Sequence, residues 1–455
     1  MIAPLASGMD DSTIRDDLVT HLALHSPPER GPAGPEPGPM ALVACPDARP
    51  PAYQAAIGLA GRAQLDTFLT GFYDRGDGPF RRVASRVLDQ GRRSRLERAL
   101  GRRHHPDLPG DRVRSTLAFD LALAAEKRLS GKSRRSVSRW RTEHFDRTLE
   151  ARIRREPPGV AFVFSDVGSG HALPLCRSWG IPTVLSMVHG DVREERRILD
   201  EEAERCPEAF GLYLGDATLD RAELDYLHGR RLRDLEYADL VLVPSGHIAG
   251  ELRKNGFPGD RIRVVPYASD VRRFRPDPAK VHGSGCTFLF AGGISQRKGI
   301  AYLLRAWQSV RRPGWRLQLL GEPPRAFGPL APLLVGVEVL GRVPHGEVPA
   351  AMARADVFVF PSLFEGSAVV TYEALSCGLP GVVTPSSGSV ARDGLDGIVV
   401  PPADVAALAG AMERLGSDPE LRAFCSRNAR SQAERFDWPR YHRAVVEAVG
   451  AVAPR

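Results

Sequence analysis

The sequence predicts an α/β protein built as two doubly wound parallel-sheet domains side by side, with a ligand cleft between them. Short apolar runs alternate with helical patterns from residue 41 onward, which is the rhythm of a parallel sheet. A stretch rich in Pro, Gly and charge, YASDVRRFRPDPAKVHGSG, interrupts that rhythm after Pro266, and a fresh series then begins at TFLFAGG. The length of 455 residues is about three times that of a typical domain, so two or three cores are affordable. A hydrophobic fraction of 43% with 26% charged residues excludes a wholly disordered, collagenous or coiled-coil chain. The 62 Lys and Arg against 55 Asp and Glu leave +7, which favours anionic partners without selecting one.

The elements follow in order. Residues 1–38, with SPPERGPAGPEPGPM at their end, have too little apolar content to offset chain entropy and read as a flexible leader. ALVAC is the first strand, Ala52 to Arg62 a helix and Asp66 to Phe72 a second strand. From Val160 the series is clear: strand VAFVF, the Gly-rich turn VGSG, a helix from His171 to Trp179, strand IPTVLSMV ending at His189, strand DLVLVPS, a helix over 246–255 and strand RIRVVP. The second series reads strand 287–291, helix 299–310, strands 316–320 and 337–340, helix 346–353, strand 356–360, helix 368–376 and strand 381–384. The domain map is therefore 1–38 leader, 39–268 first domain, 269–284 linker and 285–437 second domain, with a terminal helical segment over 438–455. Ligands of open α/β sheets sit outside the carboxyl ends of the strands, so the cleft between the domains is the expected site.

Six scattered cysteines without a C-x-x-C pair argue against a zinc knuckle or a disulfide framework and fit a reducing, cytoplasmic setting. The N-terminus lacks a basic region followed by a long apolar stretch, and no run reaches the roughly 18 apolar residues of a spanning helix. Arg81 to Arg103 is the most basic stretch, with Phe80, Val83, Val87 and Leu88 at helical spacing. It reads either as an amphipathic helix in peripheral contact with an anionic membrane or as a solvated helix face. No nucleic-acid-binding motif accompanies the surplus charge.

The densest chemistry lies in ADVFVFPSLFEGSAVVTYEALSCGLPGVVTP, from Ala355 to Pro385. A buried strand ends at Phe360, and the next loop delivers Glu365 directly before a helix that starts with Gly366, Ser367 and Ala368 and carries Glu373 on its second turn. Small residues at a helix start let a phosphate approach backbone N–H groups, and a carboxylate one turn further in can accept from sugar hydroxyls.

This pattern of E-x7-E after V-F-P-S, continued by E-A-L-x-x-G-L-P-x-V, resembles the signature of glycosyltransferase family 4. The likeness runs over roughly 155–440, strongest after 285, through DGLDGIVVPP and on to RFDW. It implies a retaining enzyme of the GT-B fold, with two Rossmann-like domains and a nucleoside-diphosphate sugar as co-substrate. It also implies that the terminal helix crosses back onto the first domain. FLFAGGISQRKGIAYLLRAW resembles the family's diphosphate-holding strand-loop-helix. Lys298 and Gly299 match its Lys-Gly pair, whereas Gly292-Gly293 stand where the family has Gly-Arg, and Arg297 offers compensating charge. Arg342 and Val343 match the backbone that lies against the nucleotide base. GIPTVLSMVHGD resembles the element whose histidine sits by the donor sugar, which assigns that role to His189. A histidine there donates to a sugar hydroxyl or shares a proton with the acceptor.

The absence of any D-x-D or metal-spaced cluster leads to the expectation that no metal or other cofactor is needed. The resemblance implies a catalytic set of His189, Glu365 and Lys298. The donor-binding set is Gly292, Gly293, Arg297, Arg342, Val343, Gly366, Ser367, Ala368 and Glu373. The expected acceptor is a lipid-linked or other glycan, as in cell-envelope or exopolysaccharide assembly, by an enzyme that is cytoplasmic or peripheral at the inner face of the membrane. Two other readings stand beside it: a soluble small acceptor on the same fold, and a catalytically weakened nucleotide-sugar-binding protein, the latter motivated by Gly293.

Overall fold

The computed structural model describes residues 38–47, 50–75, 103–126, 128–215, 220–280 and 285–452, with isolated positions between 89 and 101. The leader, almost all of the Arg81–Arg103 stretch and residues 281–284 of the linker lie outside the described residues.

The first sheet contains β1 (Ala41–Cys45), β2 (Leu65–Thr70), β3 (Val113–Ser115), β4 (Val160–Phe164), β5 (Thr183–Ser186), β6 (Leu240–Val243) and β7 (Ile262–Val264) in the order β3-β2-β1-β4-β5-β6-β7. The second contains β8 (Cys286–Ala291), β9 (Trp315–Leu320), β10 (Val337–Gly341), β11 (Val357–Phe360), β12 (Gly381–Val383) and β13 (Gly397–Val399) in the order β10-β9-β8-β11-β12-β13. Every pairing is parallel. Strand order reverses between β1 and β4 in one sheet and between β8 and β11 in the other, so each sheet has one switch point where loops diverge and leave a crevice.

Fully buried strands alternate between two cores. Val43 and Cys45 of β1 face one side with Phe162 and Phe164 of β4, while Leu42 and Ala44 face the other with Ala161 and Val163. The first side is covered by α1 (Pro50–Ala60); the second by α2 (Leu117–Glu126), α3 (Gly131–Arg155) and α4 (Ala172–Trp179). Such strands read as continuous apolar runs because helices cover both faces. Among the described residues the first half also has α5 (Val192–Arg205), the short helical turn Pro207–Phe210, α6 (Arg221–Tyr237) and α7 (Gly246–Lys254). Those of the second are α8 (Ile300–Val310), α9 (Val348–Arg354), α10 (Val369–Ser376), α11 (Val405–Ser417) and α12 (Pro419–Ala433).

The last helix, α13 (Trp438–Val452), leaves the second half and packs on α1. Its Tyr441 hydroxyl donates to the Pro51 carbonyl at 3.2 Å, and Tyr441, Val445, Ala448 and Val449 complete the first core. A second bridge runs the other way. Cys206 and Ala209, just after α5, bury their side chains in the core of the second half.

Sequence periodicity locates most strands within two residues but overruns their ends. The strand read to His189 stops at Ser186, and the helix read from Ala368 starts at Val369. The turn Gln296–Lys298 closes on Gly299, which has φ of 75° and lies so close to Pro361 that a Cβ would stand 2.1 Å from its carbonyl oxygen. Gly299→Ala therefore meets both a left-handed backbone and a backbone clash, and is expected to cost about 2–3 kcal/mol. Urea unfolding checks this; an unchanged midpoint would contradict the stated packing.

Candidate functional site

Two loops meet at the switch point of the second sheet. One follows β8 and runs Gly292 to Gly299; the other follows β11 and runs Pro361 to Ala368. They are stitched together through the Arg297 carbonyl, which accepts from the Leu363 N–H at 2.9 Å and the Ser362 hydroxyl at 3.2 Å. Across this seam Lys298 Nζ lies 2.8 Å from Glu365 Oε1, and Arg297 Nη2 lies 3.4 Å from the same oxygen. Lys298 also stands over the Phe360 ring at 4.9 Å. Burial alone would raise the Glu365 carboxyl, but the two cations outweigh it and hold its pKa below the ordinary value. Beside this cluster lies a cavity of about 250 Å³ lined by Gly293, Ser295, Arg297, Lys298, Glu322 and Leu214. Nothing lies within 4 Å of where a Gly293 side chain would begin.

The small residues after Glu365 serve the seam between the halves. A Cβ on Gly366 would lie 2.1 Å from the Val188 carbonyl oxygen, so the backbone before His189 rests directly on this glycine. Ser367 donates to the Gly388 carbonyl at 2.7 Å, and the Ala368 N–H donates to the Ser387 carbonyl at 3.0 Å. Of the phosphate cradle expected at 366–368, the Ala368 N–H is thus already taken by the Ser387 carbonyl, and Ala368 stands one residue before the helix.

Glu373 is mostly buried on α10, with His345 Nε2 3.9 Å away. Burial raises its pKa to about 7, and Arg273 pulls the other way. Arg342 is exposed, 3.9 Å from Glu322, while Val343 packs on the second core.

His189 is buried at the carboxyl end of β5. Its Nδ1 lies 2.8 Å from the Gly190 carbonyl, which can only accept, so Nδ1 carries the proton. Burial lowers its pKa to about 4, assisted by Arg231 and opposed by Asp166. The neutral ring thus presents Nε2 as a lone pair, which has no hydrogen-bond partner among the described residues. It is set to accept from a hydroxyl rather than donate to one.

The residues around that lone pair were not singled out by sequence reasoning. Asp166, 3.9 Å from His189 Nε2, has φ of 81°, a strained value for a side chain with a Cβ. Asp234 holds it there by accepting its N–H at 2.7 Å, and Arg231 grips its carboxylate at 2.6 and 3.2 Å. Asp166 and the unpartnered hydroxyl of Ser165 line a cleft of about 140 Å³ with Cys45, Thr142, Phe119 and Leu227, at the switch point of the first sheet. A strand-end Asp before Gly-x-Gly was a legible signal for Asp166. Arg231 and Asp234 gave none, since they lie mid-helix more than 60 residues away.

Residues 285–418 match the family described as Glycosyl transferases group 1. The chain is 32% identical over 214 residues to a D-inositol 3-phosphate glycosyltransferase of Saccharomonospora viridis, covering 41% of this chain and 49%, about half, of that relative. It is 29% identical over 388 residues to the protein of that name from Pseudarthrobacter chlorophenolicus, covering 77% of this chain and 84% of the relative. Among solved structures, Anabaena HepE in complex with UDP and glucose superposes with a TM-score of 0.57 at 16% identity, over 91% of this chain and all of the other. That likeness and the two parallel sheets establish the GT-B fold. Among the described residues no helix is long and apolar enough to cross a membrane.

The two shifted groups give opposite pH slopes. Between pH 4 and 6.5 the unfolded chain holds a proton on His189 that the folded chain refuses, so stability falls on acidification, by up to about 3 kcal/mol. Between pH 4.5 and 7 the folded chain holds a proton on Glu373 that the unfolded chain releases, so stability falls as pH rises. Relative to the wild type, lowering pH from 7 to 5 is expected to shift the melting temperature of His189→Gln upward and that of Glu373→Gln downward. Parallel profiles for the two variants in calorimetry would refute these assignments.

Proposed function

We propose that this chain, whose residues 285–418 match the Glycosyl transferases group 1 family, moves a sugar from a nucleoside-diphosphate sugar to an acceptor hydroxyl with retention and without a metal. The observation that carries the reading is the pairing of Lys298 and Arg297 with Glu365 at the second switch point. A diphosphate entering there meets two cations held in place by a carboxylate and replaces part of that carboxylate's role, so the departing nucleoside diphosphate is stabilised without reorganisation. The acceptor hydroxyl enters from the cleft at Asp166 and donates to His189 Nε2, which orients it toward the same face of the sugar that the leaving group vacates. HepE, bound to UDP and glucose, supports a uridine nucleotide donor.

Glycan assembly at the cytoplasmic face of the envelope remains the reading for the acceptor. A small polyol is favoured by a separate observation: the cleft at Asp166 is about the size of one sugar or cyclitol ring, with aromatic walls and a free hydroxyl.

A thermal-shift screen against UDP-, GDP- and ADP-sugars, without added metal, tests the donor. One class is expected to raise the melting temperature; a folded protein stabilised by none would move the reading to a weakened binder, with Gly293 as the cause. Lys298→Ala is expected to cut turnover about 100-fold, and Glu365→Ala similarly. Glu373→Ala should weaken nucleotide binding about tenfold. Full transfer rates in the first two variants, measured with the donor the screen selects, would overturn the catalytic assignment.

A further inference from the structure

The loop that carries Arg297 and Lys298 is held from outside its own half. Gln296, at its centre, is fully buried; its side-chain N–H donates to Glu202 Oε2 at 2.7 Å, while its side-chain carbonyl accepts from the Ala301 N–H at 3.1 Å. The other carboxylate oxygen of Glu202 accepts from the Tyr302 hydroxyl at 2.5 Å. Glu202 is 1% exposed and belongs to α5, in the first half of the chain. The chain just beyond α5 adds two more ties, with the Leu212 carbonyl accepting from the Gln296 N–H at 2.8 Å and the Tyr213 carbonyl from the Arg297 N–H at 3.1 Å.

These ties change how the loop can meet an anion. The N–H groups of Ile294, Gln296, Arg297, Lys298 and Gly299 all donate to protein carbonyls. Apart from the N–H groups of Gly293 and Ser295, what this loop offers a diphosphate is therefore the charge of the Arg297 and Lys298 side chains, whose directions follow the backbone that Glu202 anchors. A buried carboxylate satisfied by two donors fixes both strongly, because charge-assisted hydrogen bonds in a dry site are short and geometrically selective. Helix α5 also starts at Asp191, which caps it two residues after His189. Over 14 residues it spans about 21 Å, so one rigid element connects the histidine loop to the diphosphate loop.

We propose that Glu202 is a positioning residue for the donor: from the first half it locks Gln296 and Tyr302, and thereby sets the phosphate-facing directions of Arg297 and Lys298. This inference rests on the nucleotide-sugar reading of the preceding section. It makes high donor affinity a property of the docked halves rather than of the second half alone.

The test uses the full chain with Glu202→Gln and Tyr302→Phe. Glutamine replaces one acceptor oxygen with a donor that opposes its partner, whereas Tyr302→Phe removes a single bond and leaves the Gln296 tie, so it serves if the first variant folds poorly. Amide hydrogen exchange of residues 294–299 is measured without ligand, and affinity for UDP and KM for UDP-glucose are measured separately. Glu202→Gln is expected to speed exchange in this loop at least tenfold, weaken UDP about tenfold, and raise the donor KM by more than it changes kcat. Tyr302→Phe should move each quantity the same way by a smaller factor. Unchanged exchange, or faster exchange with unaltered UDP affinity, would overturn the positioning role. Wild-type protein that binds neither UDP nor any other nucleotide sugar would instead sink the donor reading itself, and the inference with it; the wild-type measurement identifies that case before any variant is compared.

Discussion

The contact on which the site depends is backbone against backbone: Gly366 lies beneath Val188, with no room for a methyl group between them. That approach brings the carboxyl end of β5 onto the loop after β11, so His189 and Glu365 share one seam although 176 positions separate them in the chain. A seam this tight has to be reinforced from both sides. Tyr441 reaches back to Pro51 from one end of the chain, and Glu202 reaches forward to Gln296 and Tyr302 from the middle. Both ties are buried, and each leaves polar atoms that would be costly to expose singly.

Within that frame the electrostatics divide by location. Around the second switch point, cations dominate: Arg297 and Lys298 keep Glu365 ionised despite its burial. Around the first, burial dominates, and it keeps His189 neutral and raises Asp234 to about 7. The two environments suit the two partners of the proposed transfer. An anionic diphosphate gains from fixed positive charge, whereas a neutral hydroxyl gains from an unprotonated acceptor held in a dry pocket.

The strain at Asp166 belongs to this arrangement. A carboxylate with φ of 81° persists because Asp234 and Arg231 over-determine it, and they hold it beside the one His189 nitrogen that lacks a partner. Its neighbours come from β4, β5 and α6, three elements that only the parallel order of the sheet makes adjacent.

By itself the sequence determined the fold class, most strand positions and the residues that gather at the second switch point. Those features are local: a buried parallel strand must be an apolar run, Gly292 and Glu365 lie in the loops directly after such runs, and Lys298 and Glu373 lie in the next turn or helix. The tertiary structure decided what depends on long-range approach. It turned the Ala368 amide inward to Ser387, fixed the tautomer of His189, set Asp166, Arg231 and Asp234 around that histidine, and bound Glu202 to the loop after β8. No spacing rule encodes these, because hydrogen-bond partners and burial are set by which loops the two sheets bring together, and that is a property of packing rather than of chain order.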